Sequence, residues 1–116
     1  MVDVRIKRIY DEPDPSDGYR VLIDHVWPRG ISRKRAHLNE WARELAPSDE
    51  LRRWFAHDPA RFAEFRARYG RELADQHDRL LDLARRARSR PVTIVYAARD
   101  QQHNNAVVVA DLVRAT

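Results

Sequence analysis

The segment 19–30 constrains the fold of this chain more than any other. An apolar run at 21–23 leads into a polar and aromatic loop that contains Pro28 and Gly30. A strand that is apolar without alternation is typical of a parallel sheet with helices on both faces. Proline fixes its own φ and keeps the preceding residue extended, and glycine permits a sharp exit. The segment therefore predicts a buried strand over 21–26 that ends in a rigid turn.

Two further segments predict strands, and a third is ambiguous. Residues 4–9 alternate apolar and charged side chains, and residues 92–97 form a second apolar and aromatic run. Residues 38–45 fit either a short helix or a strand, and we favour the strand because a proline ends the segment sharply. Together these segments supply the strands of a small sheet.

Helix signals separate the predicted strands. Ser48 precedes one helix as its cap, and Asp58 followed by a proline begins another. One apolar stripe then continues at helical spacing from 59 to 88, which as a single straight helix is too long for a compact domain of this size. We therefore expect the helix to break near Gly70 or between 75 and 77.

The order of these elements predicts a single domain over residues 1–116. Strand and helix signals alternate along the chain, the last of them a helix over 104–112, and no repeat or linker interrupts them. This order favours an α/β fold, a compact Rossmann-like layered domain with a small, mainly parallel sheet flanked by helices. A chain of 116 residues is long enough to bury a substantial core.

The composition excludes several classes of protein. Cysteine is absent, which rules out disulfides and thiolate metal sites. No run approaches the roughly 20 apolar residues of a membrane span, and the N-terminus lacks the apolar core of a signal peptide, so we expect a cytoplasmic protein without membrane association. The five histidines lack metal-ligand spacing, and the three glycines form no cofactor-binding motif, so no metal is expected and the sequence names no cofactor.

Charge alone gives weak evidence of a partner. The chain carries 22 basic and 18 acidic residues, a formal net charge of +4. Over residues 31–90 the acidic side chains are interspersed among the basic ones at helical spacing. This pattern favours solvated helix faces with internal ion pairs over a phosphate-binding stripe.

Functional side chains are concentrated after two of the predicted strands. Ligands of open α/β sheets bind beyond the carboxyl ends of the strands. We take three residues as candidates for catalytic proton transfer: Asp24, Asp100 and His103. The candidates for ligand binding are His25, Trp27, Arg29, Ser32, Arg99 and Asn104. If the two strands are parallel neighbours, Arg29 and Arg99 can hold one anion between them.

Several of these residues also have a purely structural explanation. Asp24 fits the cap of a turn, and Asp100 fits the cap of the last helix. Trp27 fits packing against a helix better than stacking on a ligand. Arg29 has the better claim to a functional role, because the flanking proline and glycine define its backbone.

The motifs in order along the chain resemble those of one protein family. The segment 24–30, which reads DHVWPRG, is similar to the signature of the YeaO-like proteins, a branch of the domain-of-unknown-function 488 family. The likeness continues through 45–55, 57–69 and 96–108, and so covers nearly the whole chain. It implies a compact parallel α/β domain. His25 stands where that signature usually has arginine, which implies a site that is less positive at neutral pH and sensitive to pH.

Three functions remain open at this point. The first is a site at the strand ends for an anionic small molecule that bears a phosphate or a carboxylate, with or without catalysis. The second is a nucleic-acid-binding module that uses the arginine-rich helices. The third is a structural or interaction protein whose signature residues only build a rigid loop. A cavity that joins the two strand ends would favour the first function, and the sequence leaves the oligomeric state undetermined.

Overall fold

A four-stranded parallel sheet forms the centre of the protein in a computed structural model that describes residues 2–116. The strands are β1 (Val4–Arg8), β2 (Tyr19–Leu22), β3 (Glu40–Trp41) and β4 (Val92–Tyr96). Their order across the sheet is β1-β4-β2-β3, and each neighbouring pair is parallel. The sequence prediction of a small parallel α/β fold is thereby confirmed. Since β2 and β4 are neighbours, their carboxyl ends open at the same edge of the sheet.

A loop with a single 3₁₀ turn at Pro15–Asp17 joins β1 to β2, and helices lie between β2 and β3, between β3 and β4, and after β4. They are α1 (Arg33–Ala36), α2 (Asp49–Phe55), α3 (Phe62–Leu73), α4 (His77–Ser89) and α5 (Asn105–Ala115). Single 3₁₀ turns precede α3 and separate it from α4. Among residues 2–116, no helix combines the length and apolar character that a membrane crossing requires. The predicted cytoplasmic location stays a prediction.

Apolar side chains cover the sheet on both faces. On one face, alternate residues of β2 and β4 such as Val21 and Ile94 pack into the main core, which helices α2 to α5 complete. On the other face, Leu22 and Val95 join a smaller cluster that includes Ala36 of α1 and the half-buried indoles that flank it. Both faces of these strands are therefore buried, which explains why the apolar run in β2 does not alternate.

Several predicted boundaries need correction. The strand predicted over 21–26 begins earlier, at Tyr19, and ends at Leu22; beyond it, the side chain of Asp24 accepts the hydrogen bond from Ala97, the residue after β4. The strand favoured over 38–45 is mostly wrong: only Glu40–Trp41 pairs with β2, and Arg43–Leu45 forms a 3₁₀ turn. The first and last strands each end one residue before the predicted bounds, and the last helix extends to Ala115.

The predicted break in the long helical segment lies at the second of its two expected places. Helix α3 ends at Leu73, a 3₁₀ turn occupies Ala74–Gln76, and α4 begins at His77. Gly70 lies inside α3, so the alternative break at this glycine is wrong. An isolated glycine lowers helix stability without ending a helix when tertiary packing holds both flanks. Tyr69 and Leu73 supply that packing, since both are buried.

The same substitution at two glycines should have opposite effects on stability. Gly18 has a φ of 67°, and an added Cβ would lie 2.2 Å from the carbonyl oxygen of Pro91, so Gly18→Ala should lower the free energy of unfolding by more than about 1 kcal/mol. An added Cβ at Gly70 meets nothing within 4 Å, so Gly70→Ala should raise it by about 0.5–1 kcal/mol. Urea unfolding of both variants measures the two changes, and a stabilised Gly18→Ala protein would contradict the backbone conformation described here.

Candidate functional site

A cavity of about 670 Å³ lies beyond the carboxyl ends of β2 and β4. Five parts of the chain surround it: the exit of β2, the segment before α2, α2 with His57 just beyond it, α3 through Phe65, and the loop from β4 into α5. Its polar lining consists of Asp24, His25, Arg52, His57, Arg99, Asp100, Asn104 and Asn105. Its apolar lining consists of Val26, Ala46, Pro47, Phe55, Phe65, Ala97 and Ala98. The two strand ends identified from the sequence therefore meet in one concavity.

The carboxylate of Asp24 connects three elements at the base of this cavity. One oxygen accepts a hydrogen bond from the backbone N–H of Ala97 at 3.0 Å, after the end of β4. The other accepts from the side-chain amide of Asn105 at 2.8 Å, in the first turn of α5. The carbonyl oxygen of Asp24 also accepts from the indole N–H of Trp41 at 2.7 Å. Burial raises the pKa of Asp24, although both hydrogen bonds to the carboxylate act in the opposite direction.

The carboxylate of Asp100 organises the loop between β4 and α5. It accepts from the backbone N–H groups of Gln102 at 2.9 Å and His103 at 3.0 Å. Its other oxygen lies 3.0 Å from Nδ1 of His103. The hydrogen bond from Gln102 is the main reason that the pKa of Asp100 lies below its ordinary value. Asp100 therefore stabilises the turn before α5 and holds the ring of His103.

Asn104 is the residue that caps α5. Its side-chain oxygen accepts from the backbone N–H of Val107 at 3.0 Å, and its side-chain amide donates to the carbonyl of Asp100 at 2.8 Å. It is buried, with 1% of its surface exposed. The alternative in which Asp100 caps α5 is therefore wrong: its carboxylate stabilises the preceding turn, and Asn104, four residues later, caps the helix.

The cations around the cavity differ in how they are paired. The guanidinium of Arg52 lies 3.0 Å from the carboxylate of Asp49. The ring of His25 lies 4.0 Å from the same carboxylate. Arg99 is exposed, and within residues 2–116 its side chain has no hydrogen-bond or ion-pair partner. Arg99 is consequently a positive charge at the cavity that no residue within 2–116 neutralises.

Three of the predicted binding residues lie outside the lining of this cavity in the described chain. The indole N–H of Trp27 donates to the carbonyl of Ile31 at 2.6 Å, which closes the loop on itself. The hydroxyl of Ser32 caps the short helix α1 by accepting from the N–H of Arg35 at 3.0 Å. Arg29 is exposed, and its carbonyl accepts from the hydroxyl of Tyr10. The turn carries these side chains away from the strand ends, so the structure does not bring Arg29 and Arg99 to a common cavity.

His103 takes an intermediate position. Asp100, which holds its ring, and Asn104, the next residue in the chain, line the cavity, and the ring packs edge-on against Phe62 with 5.2 Å between ring centres. A ring held by a carboxylate on one side and an aromatic face on the other is fixed in orientation. Whether it takes part in chemistry stays a prediction, as it does for Asp24 and Asp100.

Sequence reasoning missed three polar residues of the lining, which are Arg52, His57 and Asn105. Asn105 carried a detectable signal, since it directly follows the predicted binding residue Asn104. The other two come from the far end of α2, which reaches the cavity only through tertiary packing. Ala56 and His57 both have a left-handed backbone, with φ values of 49° and 56°, a conformation that is uncommon outside glycine. No pattern in the local sequence predicted these two left-handed residues.

The described residues offer no clear metal site. Among residues 2–116, no group of three or more histidine, aspartate or glutamate side chains is arranged to hold a metal ion. The cavity instead combines amide, guanidinium and imidazole groups with an apolar wall. Such a lining suits an organic ligand.

The fold and the cavity define a small parallel α/β domain with a mixed polar and apolar site at the strand ends. Residues 3–116 match the DUF488-N3i family, described as the inactive DUF488-N3 subclade. The chain belongs to this family, which confirms the resemblance drawn from its motifs.

Similar proteins occur in distantly related bacteria. The chain is 40% identical to "Uncharacterized protein YeaO" of Escherichia coli (strain K12) over 114 residues, which cover 98% of this chain and 99% of the relative. It is 42% identical over 110 residues to "Uncharacterized protein Rv3073c" of Mycobacterium tuberculosis (strain ATCC 25618 / H37Rv) and to "Uncharacterized protein Mb3100c" of Mycobacterium bovis, covering 95% of this chain and 92% of each relative. No solved structure matches the chain.

Replacing Asp24 by asparagine tests its connecting role. Asparagine has one acceptor oxygen, so one of the two donors, on Ala97 or Asn105, must face an N–H₂ group. Asp24→Asn should therefore lower the free energy of unfolding by about 1–3 kcal/mol, the cost of leaving a buried donor unsatisfied. The double variant Asp24→Asn with Asn105→Asp restores a donor–acceptor match and should recover most of the loss in urea unfolding. A single variant as stable as the parent would contradict the proposed link between the elements.

The raised pKa of Asp24 also predicts a pH dependence. The folded protein keeps the proton on Asp24 to a higher pH than the unfolded chain, for which the ordinary value is 3.8. At a pH between these two pKa values, the unfolded chain binds fewer protons than the folded protein. The contribution of Asp24 to stability is therefore fully present below pH 3.8, and it is lost as pH rises through the raised pKa of the folded protein. The advantage of the parent over Asp24→Asn should therefore shrink as pH rises from about 3 to about 7. Other carboxylates are common to both proteins, so their effects cancel in this difference.

Proposed function

We propose that this protein binds a small organic anion in the cavity beyond β2 and β4. The observation that carries the proposal is the unpaired guanidinium of Arg99 at a cavity whose two carboxylates are already satisfied from within. Asp24 accepts from Ala97 and Asn105, and Asp100 accepts from the loop that follows it. The charge that remains for a ligand is therefore positive, and a planar guanidinium suits a carboxylate or a phosphate.

The rest of the lining supports a ligand that also has an apolar part. Phe55 and Phe65 line the cavity and stack with 4.2 Å between ring centres, beside Val26 and Pro47. A volume of about 670 Å³ lies within the range of small-molecule sites. A free inorganic ion would leave this apolar wall exposed to water. The combination fits an anion carried on a hydrocarbon or aromatic body.

Binding without catalysis fits the candidate catalytic residues better than turnover does. Asp24 and Asp100 each accept at least two internal hydrogen bonds, and His103 is held by Asp100. A general base needs a lone pair that reaches the substrate. Every carboxylate oxygen of Asp24 and Asp100 already has an internal partner, and His103 is not among the residues that line the cavity in the described chain. The family description as an inactive subclade points in the same direction.

The arginine-rich helices give less support to a nucleic-acid module. Internal partners neutralise many of their cations: Arg68 pairs with Glu64, Arg66 with Asp111, and Arg79 with Glu40 and Glu44. Exposed pairs of this kind add little stability, but they reduce the net field that a phosphate backbone would meet. We therefore favour the anion site over a nucleic-acid-binding surface on these helices.

The ligand class can be tested by thermal unfolding with matched small molecules. Phenyl phosphate and benzoate should raise the melting temperature of the parent protein, whereas the neutral analogue benzyl alcohol should not, because ligands stabilise only the state that they bind. Arg99→Gln should weaken the binding of the anions by about tenfold or more, as expected for one charge-assisted hydrogen bond of about 1.5–3 kcal/mol.

The matched control is Arg85→Gln. Arg85 is exposed on α4 and lies outside the cavity lining, and it lacks a side-chain partner within residues 2–116. This variant changes the net charge by the same amount as Arg99→Gln and should bind the anions as the parent does. Equal weakening by both variants would mean that overall charge, not the cavity, governs binding, and would overturn the proposal.

A further inference from the structure

A second basic surface lies on the opposite side of the turn that leaves β2. Between residues 25 and 39 the chain contains four arginine or lysine residues and no acidic residue, although 18 acidic residues occur in the whole sequence. We call this surface the indole–guanidinium patch. It consists of Trp27 and Trp41, the two arginines in contact with them, Arg33 and Arg43, and the cations beside these residues in the sequence, Arg29, Lys34 and Arg35.

Two tryptophan side chains form the rigid base of the patch. The rings of Trp27 and Trp41 meet edge to face with 5.2 Å between their centres. Each indole N–H donates to a backbone carbonyl, Trp27 to Ile31 at 2.6 Å and Trp41 to Asp24 at 2.7 Å. Both rings are half-buried and belong to the smaller apolar cluster of the sheet. The fold therefore fixes the orientation of both rings without any bound ligand.

Two arginines lie over these rings. The guanidinium carbon of Arg33 is 4.2 Å from the ring centre of Trp27 and 5.0 Å from that of Trp41. The guanidinium carbon of Arg43 is 3.8 Å from the ring centre of Trp41. Both arginines are exposed residues. Cation–π contact therefore places each guanidinium against an indole, while the two arginines remain accessible to solvent.

The positive charge of the patch lacks compensation from its neighbours. Glu40 and Glu44, on either side of Trp41, both pair with Arg79 of α4. The carboxylate of Asp24 is bound by Ala97 and Asn105. Among residues 2–116, none of the five cations of the patch has an acidic partner within ion-pair distance. The patch therefore differs from the helix surfaces, where acidic residues neutralise many arginines.

We propose that the indole–guanidinium patch binds single-stranded nucleic acid. An unpaired base can stack on the outward side of Arg33 or Arg43, which extends the indole–guanidinium stack by one flat ring. The neighbouring cations Arg29, Lys34 and Arg35 can contact the phosphates that flank the base. An acidic peptide would satisfy the charge but not the stacking surface, and a duplex keeps its bases stacked inside.

This surface is separate from the anion site proposed above. None of the seven residues of the patch is among those that line the cavity in the described chain. The two proposals therefore have separable tests, because Arg99→Gln should leave the patch intact and substitutions in the patch should leave the cavity intact.

Fluorescence anisotropy with labelled oligothymidylate of about 15 nucleotides tests the proposal. The double variant Arg33→Gln with Arg43→Gln should bind at least about tenfold more weakly than the parent, since stacking on each base contributes about 1–3 kcal/mol. The slope of log K against log salt should change by less than about 0.7, the value of one phosphate contact on a single strand, because Arg29, Lys34 and Arg35 still contact the phosphates. Thermal unfolding of the variant without nucleic acid checks that it is folded.

The matched control is the double variant Arg85→Gln with Arg88→Gln. Both arginines are exposed on α4, and within residues 2–116 neither has a side-chain partner. The control removes the same charge and should bind the oligonucleotide nearly as the parent does. Equal weakening by the two double variants would overturn the assignment to the patch, as would the absence of any binding by the parent.

Arg33→Lys with Arg43→Lys separates stacking from charge. Lysine keeps the positive charge but lacks the planar group that stacks on a base, so this variant should recover little of the affinity. Full recovery of affinity would contradict the stacking mechanism. Comparable binding of a duplex, or displacement of the oligonucleotide by polyglutamate at equal charge concentration, would show that the patch accepts any polyanion and would overturn the proposal.

Discussion

At the centre of the sheet, one carboxylate holds together the three elements that build the candidate site. Asp24 joins the end of β2 to the backbone after β4 and to the first turn of α5. The strand pairing between β2 and β4 stops at Leu22 and Val95, and the side chain continues it where the backbones diverge. The cavity exists because the chains separate at this point while Asp24 keeps them in register. Burial of this carboxylate raises its pKa. The free energy of unfolding of the protein therefore depends on pH through the same residue that forms the cavity.

The turn that follows Asp24 divides the signature segment between two surfaces. His25 and Val26 remain at the cavity, whereas Trp27 crosses to the other face of the sheet and packs against Trp41. This change of side occurs between Val26 and Trp27, and the following Pro28 keeps Trp27 extended. Residues that are adjacent in sequence therefore need not share a function, and the anion site and the indole–guanidinium patch follow from a single rigid turn.

Sequence reasoning predicted the cavity residues at the strand ends, but it did not predict the lining residues contributed by α2 and by His57 after it. Asp24, Arg99 and Asp100 were expected together because parallel neighbouring strands end at one edge of a sheet, and the structure places all three at the cavity. Arg52 and His57 were not expected, because they reach the cavity through the packing of α2 against α3, which no local pattern encodes.

The amino-acid sequence by itself determined the alternation of strands and helices, the burial of β2 and β4, and the break between α3 and α4, because hydrophobic periodicity and helix caps are local properties. Tertiary structure alone decided the order of the strands, the shortness of β3 and the direction of the side chains after Val26. These features depend on which distant segments pack together, and that choice is made by the free energy of the whole core. The pairing of Glu40 and Glu44 with Arg79 shows the same limit, since a contact between β3 and α4 is what leaves the indole–guanidinium patch positively charged.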